Sequence, residues 1–201
     1  MCIRDRLGNT LATGAVLVVL ITIFGPVSGA HFNPAVTLVM ALRRQIGWRL
    51  GVAYVAAQGV GAVLGAWAAH LMFAEPMLQV STKLRDGPAQ AFSEFVATFG
   101  LIGAILGSVR FEPKATPAVV GLYIIAAYWF TASTSFANPA VTLARSLSDT
   151  FAGIAPSSAP AFIAAQLAGA VAAWAVFGWL LAGAQTPSAQ QAGQVTLQDG
   201  E

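Results

Sequence analysis

The stretch "SGAHFNPAVTL" at residues 28–38 returns as "STSFANPAVTL" at residues 133–143, so the six letters NPAVTL occur twice, 105 positions apart. Asn is a preferred helix N-cap, and Pro suits the first helical position because its missing N–H would have no partner there. Each copy therefore predicts a short helix that begins at its Asn, over residues 33–43 and 138–148. The Gly and Ser residues before each copy indicate a bend in the chain.

The composition places these two helices in a membrane. Hydrophobic residues make up 57% of the chain, charged residues only 9%, and the mean hydropathy is +0.71. A soluble domain carries about 25% charged residues, so this chain could not cover a surface that faces water. A bilayer-spanning helix needs about 20 apolar residues. Five runs predict such spans, namely residues 7–24, 50–73, 91–109, 117–136 and 161–183.

The two short helices are predicted to be re-entrant, because each is too short to cross a bilayer. Irregular backbone at membrane depth is stable only where it lines a cavity or is buried in protein. The fold class predicted is therefore an all-α integral membrane protein built as an inverted repeat, with residues 7–88 and 89–183 as its halves. Their half-helices enter from opposite faces and meet near the midplane. The polar residues 184–201 are expected to be disordered.

Charged residues indicate the orientation and exclude some functions. Excess Lys and Arg mark cytoplasmic loops, which predicts that residues 43–49 and 110–116 lie inside. The net charge of +2 is too small to suggest a nucleic-acid partner, and a single Cys excludes an all-Cys metal site. The chain contains no GxSxG or HExxH pattern of a hydrolase, so neither an enzyme nor a cofactor is expected.

The meeting point of the half-helices suggests a pore. Each Asn side-chain oxygen can cap its own helix, which would leave two N–H donors facing the cavity. Two helix N-termini contribute about half a positive charge each. A small neutral molecule with an acceptor oxygen is held there, whereas protons and cations meet an electrostatic barrier.

From Leu7 to about Leu181 the sequence resembles the aquaporin and aquaglyceroporin channels, the major intrinsic proteins. The resemblance rests on both NPA motifs with their flanks, on "SEFVATF" from Ser93, and on Gln58 with Gly61 and Gln166 with Gly169. It implies a homotetramer in the lipid bilayer of the plasma (inner) membrane. The implied pore constriction is formed by Asn33, Pro34, Ala35, Asn138, Pro139 and Ala140.

The resemblance also implies two supporting residues. Glu94 of "SEFVATF" would brace the backbone of a half-helix loop; the alternative for a carboxyl group at membrane depth is a substrate or proton-relay site. His31 would fix the first loop by hydrogen bonds; the alternative is a pH gate.

Four further side chains form the narrow filter in this family, at fixed offsets from the two Asn residues. Carried over, they are Thr13, Ala126, Ser135 and Val141. Val141 stands where the family normally has Arg, and none of the four is aromatic. This predicts a wide, uncharged, mildly polar ring, and hence passage of glycerol-like polyols, of neutral metalloid hydroxides such as arsenous acid, and of water.

Arg145 is a candidate replacement for the absent filter Arg. It lies four residues after Val141, on the same helix face and about 6 Å further out. One interpretation is a second ring in the outer vestibule. The other is an Arg that reaches the interface or pairs with Asp149 at the helix end.

The first repeat is expected to be incomplete. The second repeat contains a span before its "NPA" hairpin that the first lacks, so five full spans stand where the family implies six. Residues 1–6, "MCIRDR", resemble nothing in the family and match the translation of a sequencing adapter, which predicts a non-native start. The alternative function is therefore a truncated or non-conducting structural member of the same fold.

Overall fold

The structure, a computed structural model, describes residues 3–183, with side chains from residue 7 onward. The tail predicted to be disordered, residues 184–201, lies outside this range. Of the segment predicted to be non-native, residues 1 and 2 lie outside it as well, whereas the backbone of residues 3–6 belongs to the first helix.

Every regular element within residues 3–183 is helical, which confirms the all-α class. The described residues form five longer helices and two short ones, together with one 3₁₀ turn at Pro113–Ala115. They are α1 (Ile3–Ser28), α2 (Pro34–Leu42), α3 (Trp48–Met72), α4 (Pro88–Phe111), α5 (Thr116–Phe130), α6 (Pro139–Ser146) and α7 (Ala159–Leu180).

Four helices of this described part are long and apolar enough to cross a membrane, namely α1 from Leu7, α3, α4 and α7. The fifth, α5, has only 15 residues, which is about 22 Å. It ends at Phe130, so the predicted end of this span at residue 136 is wrong. The next residues leave the helix because their hydroxyl groups compete for backbone groups: the Ser133 hydroxyl accepts a hydrogen bond from the Ser135 N–H (3.3 Å).

Glycine residues let the long helices pack closely. At the crossing of α1 and α5, a Cβ atom added to Gly14 would lie 2.9 Å from the carbonyl oxygen of Gly121, and one added to Gly121 would lie 2.7 Å from that of Gly14. At the crossing of α4 and α7, a Cβ on Gly169 would collide with the carbonyl oxygen of Phe95. Small residues are the usual means by which membrane helices approach backbone to backbone.

The two repeats differ in completeness over residues 3–183. Helices α5, α6 and α7 correspond in order to α1, α2 and α3, and within residues 3–183 no helix packs on α3 as α4 packs on α7. The consequence shows on α3, of which only Gly51 and His70 are buried. Gly61 of α3 corresponds to Gly169 of α7, yet no heavy atom of a neighbour lies within 4 Å of its Cβ position.

Candidate functional site

Asn33 and Asn138 cap the two short helices. Both have an extended backbone, with φ of −155° and −158°, and each side-chain oxygen accepts a hydrogen bond from the N–H two residues later (2.9 Å in both). The side-chain oxygen of Asn138 also accepts from the Val141 N–H, at 3.3 Å. The motif residues Pro34, Ala35, Pro139 and Ala140 form the buried first turns of the two helices.

The two Asn side chains also bind crosswise. Asn33 Nδ2 donates to the carbonyl oxygen of Ala137 (2.8 Å), and Asn138 Nδ2 donates to that of Phe32 (2.9 Å). The expectation that both N–H groups of each amide face the cavity is therefore wrong, because one N–H of each amide is taken by a backbone carbonyl oxygen of the other loop. One N–H of each amide remains for a solute.

The loops that lead into the two short helices share an unusual backbone conformation. Non-glycine residues rarely adopt positive φ, and each such residue costs about 1–3 kcal/mol. Here positive φ recurs at matching positions, 105 residues apart. These are Gly29 and Thr134 (75° and 65°), Ala30 and Ser135 (47° and 48°), and Phe32 and Ala137 (47° and 48°).

Glu94 holds the second of these loops. Its carboxyl group is fully buried, and its two oxygens accept from the N–H groups of Phe136 and Ala137, each at 2.8 Å. Gln166 Nε2 also donates to it (2.6 Å) and to the hydroxyl of Thr142 (2.9 Å). These contacts are those of a brace, the role that the family resemblance implied, and they leave the carboxyl oxygens facing protein donors.

The first loop is held differently. The Thr37 hydroxyl, which corresponds to Thr142, contacts Nδ1 of His31 (3.1 Å) and accepts from Nε2 of Gln58 (2.9 Å). No carboxyl group joins this cluster among the described residues, and the buried Oε1 of Gln58 has no hydrogen-bond partner within that part of the chain. His31 therefore fixes its loop through Thr37.

A cavity of about 360 Å³ runs past both Asn residues. It is lined by three of the four predicted filter residues, Thr13, Ser135 and Val141. Ser135 is only 2% exposed, and its hydroxyl has no partner among the described residues. Thr13 donates its proton to the carbonyl oxygen of Asn9 (2.8 Å), so only its lone pairs remain for a solute. Most of the remaining wall is apolar, including Leu17, Ile21, Val36, Leu101, Ile105 and Val120.

The fourth predicted filter residue, Ala126, does not line this cavity. Its side chain is exposed on the outside of α5, whereas Val120, Ile124 and Tyr128 face inward at a spacing of four residues. A fixed offset from Asn138 does not identify the side chain of α5 that lines the cavity. The face of α5 that turns inward depends on the conformation of the loop between α5 and α6. Sequence reasoning missed Tyr128; the helical spacing of Val120, Ile124 and Tyr128 could have indicated it.

Arg145 also faces the cavity. Its Nη2 donates to the hydroxyl of Tyr128 (2.9 Å), and its guanidinium carbon lies 4.2 Å from the centre of the Phe136 ring. Arg145 binds Tyr128 and not Asp149, the partner in the alternative interpretation. The Asp149 carboxylate instead accepts a hydrogen bond from the N–H of Thr82 (2.8 Å). The end of the cavity at Arg145 thus contains a cation and an aromatic ring, which is consistent with the interpretation of Arg145 as part of a second ring beyond the predicted filter.

Comparison with known proteins agrees with this architecture. The family profile described as Major intrinsic protein matches residues 4–131. Aquaglyceroporin AqpS of Rhizobium meliloti (strain 1021) is 61% identical over 173 residues, which are 86% of this chain and 74% of that protein. Aquaporin NIP1-1 of Oryza sativa subsp. japonica is 35% identical over 84% of this chain, which spans 61% of that protein. Putative aquaporin NIP4-1 of Arabidopsis thaliana is 34% identical, and 42% of its length is covered.

Proposed function

Because the chain belongs to the major intrinsic protein family of membrane channels, we propose that it conducts small uncharged solutes of the glycerol type, together with water, passively across the bilayer. The chain is a multi-pass membrane protein and not an enzyme. The observation that carries the proposal is the meeting of Asn33 and Asn138 in one cavity, joined crosswise through the carbonyl oxygens of Ala137 and Phe32.

The cavity lining favours polyols. A glycerol-like molecule has hydroxyl groups on one side and CH₂ or CH groups on the other. The free N–H groups of the two Asn residues and the hydroxyl of Ser135 supply polar partners, and the apolar lining residues supply contacts for the carbon atoms. Neutral metalloid hydroxides such as arsenous acid present a similar set of hydroxyl groups without a charge, so they belong to the same proposed solute class.

Exclusion of protons and cations is proposed on electrostatic grounds. The N-termini of α2 and α6 face the cavity through Asn33 and Asn138, and each contributes about half a positive charge. Because each Asn fixes the direction of its N–H donor, a water molecule at the constriction is oriented as an acceptor, which disfavours a continuous proton wire. Arg145 adds a full positive charge at one end of the cavity.

The proposed setting is a homotetramer in the inner membrane, with the loops at residues 43–49 and 110–116 on the cytoplasmic side. Arg43, Arg44 and Arg49 support this orientation in the first loop, and Arg110 and Lys114 support it in the second. Chemical cross-linking in native membranes tests the oligomeric state, and a cysteine-accessibility assay tests the orientation.

A second candidate is a non-conducting structural member of the same fold. One observation favours it: a cleft of about 640 Å³ lies beside the pore, lined by Ala62, Ala66 and Ala69 of α3, and Val141 and Arg145 line both the cleft and the pore cavity. The cleft and the pore cavity therefore share part of their lining on the side of α3. A channel open to the side would leak or fill with lipid.

Stopped-flow light scattering on proteoliposomes distinguishes the two candidates. We expect glycerol and arsenous acid to enter protein-containing vesicles faster than empty ones, with water entering as well, while an imposed pH gradient persists. Fast water entry without uptake of either solute would contradict the proposed solute class. Entry no faster than in empty vesicles, from protein shown to be inserted and folded, would favour the structural member.

A further inference from the structure

Two aromatic side chains stand at equivalent places in the two halves. Tyr54 of α3 and Phe162 of α7 each lie four residues before the Gln that binds the Thr of its half-helix. The Tyr54 ring contacts that of His31, and the Phe162 ring contacts that of Phe136, with ring centres 5.3 Å apart in both pairs. His31 and Phe136 are equivalent as well, because they lie 105 residues apart and both line the pore cavity.

The two pairs differ in one hydrogen bond. The Tyr54 hydroxyl donates to the carbonyl oxygen of Ser28 (3.0 Å), at the end of α1, where the first loop begins. The equivalent oxygen in the second loop is that of Ser133, and Phe162 has no hydroxyl to donate to it. Nη1 of Arg85 donates to it instead (3.2 Å). A side-chain donor thus reaches the same carbonyl oxygen in both loops, from α3 in the first and from the segment between α3 and α4 in the second.

The guanidinium of Arg85 also links the two sides of α6. Nε donates to the carbonyl oxygen of Gly153 (2.8 Å), and Nη2 donates to that of Phe151 (3.4 Å). Both of these residues follow α6, whereas Ser133 precedes it. The guanidinium carbon lies 4.9 Å from the centre of the Phe136 ring. Arginine suits this place because its planar group donates in several fixed directions and also stacks on aromatic rings.

The loop that Arg85 contacts is strained. Thr134 and Ser135 both have positive φ, a conformation that persists only where the surrounding structure fixes it. Glu94 binds the N–H groups at the end of this loop, and Arg85 binds the carbonyl oxygen at its start. Ser135, which lines the pore cavity, lies between these two anchors.

We propose that Arg85 is a positioning residue of the pore, which fixes Ser135 and the Phe136 ring and so sets the width of the cavity at its Arg145 end. This inference rests on the proposed channel function. Arg85 is not among the residues that line the pore cavity, so it acts through the loop. Without it, the peptide group after Ser133 can rotate and the Phe136 ring can turn away, which lets larger polyols pass more readily relative to glycerol.

Thiol labelling tests the positioning without any flux. Ser135→Cys, in a background where Cys2→Ser removes the one native cysteine, reports how often the loop opens, because Ser135 is only 2% exposed. We expect a small methanethiosulfonate reagent to modify it about tenfold faster once Arg85→Gln is added, on the scale of one lost hydrogen bond from a charged donor. Lys83→Gln, which removes a cation of the same segment that donates to the Phe151 carbonyl oxygen (2.8 Å), is the matched control and should leave the rate unchanged.

A second substitution separates the bond to Ser133 from a general loss of stability. Added to Arg85→Gln, Phe162→Tyr places a hydroxyl where Tyr54 has one in the first half, and it should return the labelling rate towards that of the wild type. A variant that is merely destabilised would gain nothing from it. In proteoliposomes, the ratio of erythritol to glycerol uptake should rise severalfold with Arg85→Gln, fall again with Phe162→Tyr and stay constant with Lys83→Gln.

An unchanged labelling rate in Arg85→Gln overturns the proposal. So does an increase that Phe162→Tyr does not reverse, or one that Lys83→Gln reproduces. Size-exclusion chromatography and circular dichroism show whether Arg85→Gln folds; if it does not, Arg85→Lys, which keeps the charge but not the planar group of donors, takes its place under the same criteria. If labelling responds as expected while the wild-type chain conducts neither solute, the channel proposal fails and the placement of the loop by Arg85 stands.

Discussion

At the scale of single residues, Glu94 shows how a carboxyl group can be structural at membrane depth. It is fully buried, and three donors satisfy its two oxygens: the N–H groups of Phe136 and Ala137 and the amide of Gln166. These bonds hold a loop that contains three non-glycine residues with positive φ. A relay residue would need a path for a proton, whereas every donor here is an amide that does not release one.

Replacement of Glu94 by Gln tests this role. A Gln side chain has one acceptor oxygen, so it leaves one of the two loop N–H groups facing an NH₂ group without a partner. We expect a loss of about 1–3 kcal/mol in the free energy of unfolding, the cost of one unsatisfied buried donor. Thermal unfolding in detergent measures it. The exposed Glu112→Gln serves as the control, and equal stability of the two variants would contradict the brace.

At the scale of helices, the rotation of α5 about its own axis determines which of its side chains line the cavity. Val120, Ile124 and Tyr128 face the cavity, and Ala126 faces outward. The hydroxyl of Tyr128 also fixes Arg145, so the width and the charge of this end of the pore depend on one residue of α5.

A pair of substitutions in α5 tests this orientation of the helix. Tyr128→Ala should speed the uptake of polyols larger than glycerol severalfold, because it removes the aromatic ring from the cavity. Ala126→Leu should leave uptake unchanged, since an additional apolar side chain on the outer face only meets lipid. Stopped-flow uptake of erythritol and glycerol measures both. The reverse pattern would restore Ala126 to the filter and remove Tyr128 from it.

The crossing of α1 and α5 is a second test at this scale. Gly14→Ala places a Cβ atom 2.9 Å from the carbonyl oxygen of Gly121 and closer still to the side chain of Ile125, so the helices must separate. We expect a loss of about 1–3 kcal/mol in the free energy of unfolding, typical of overpacking. Gly8→Ala in the same helix meets no neighbouring atom within 4 Å and should be neutral or stabilising. Similar stabilities for the two variants would contradict the close crossing.

Sequence alone could predict the helices but not their rotation. Apolar runs, the Asn-Pro caps and the repeat locate the elements, because these signals are local. The direction in which Ala126 or Tyr128 points depends on the loop between α5 and α6, and the crosswise bonds of Asn33 and Asn138 join residues more than one hundred positions apart. The charge of Arg145 was visible in the sequence, yet its partner Tyr128 was not, since nothing local links the two.

At the scale of the whole molecule, the two repeats build one centre, and within residues 3–183 they hold it by different contacts. The second half braces its loop with Glu94 and covers α7 with α4, whereas the first half holds its loop through Thr37 and His31, and most of α3 is uncovered. Yet the two loops share their backbone conformation position by position, and each leads to an Asn cap. The two halves therefore share the loop conformation and the Asn caps and differ in the side chains that hold the loops.

The initial rate of glycerol uptake into proteoliposomes, compared between the wild-type chain and Asn138→Ala, tests the central claim most directly. Asn138 caps α6, binds the carbonyl oxygen of Phe32 and lines the cavity, so its loss removes a solute donor and loosens the constriction. We expect wild-type uptake well above that of empty vesicles and at least about tenfold faster than that of the variant, on the scale of one or two lost hydrogen bonds. Equal rates for the two proteins would contradict a pore built around the paired Asn residues.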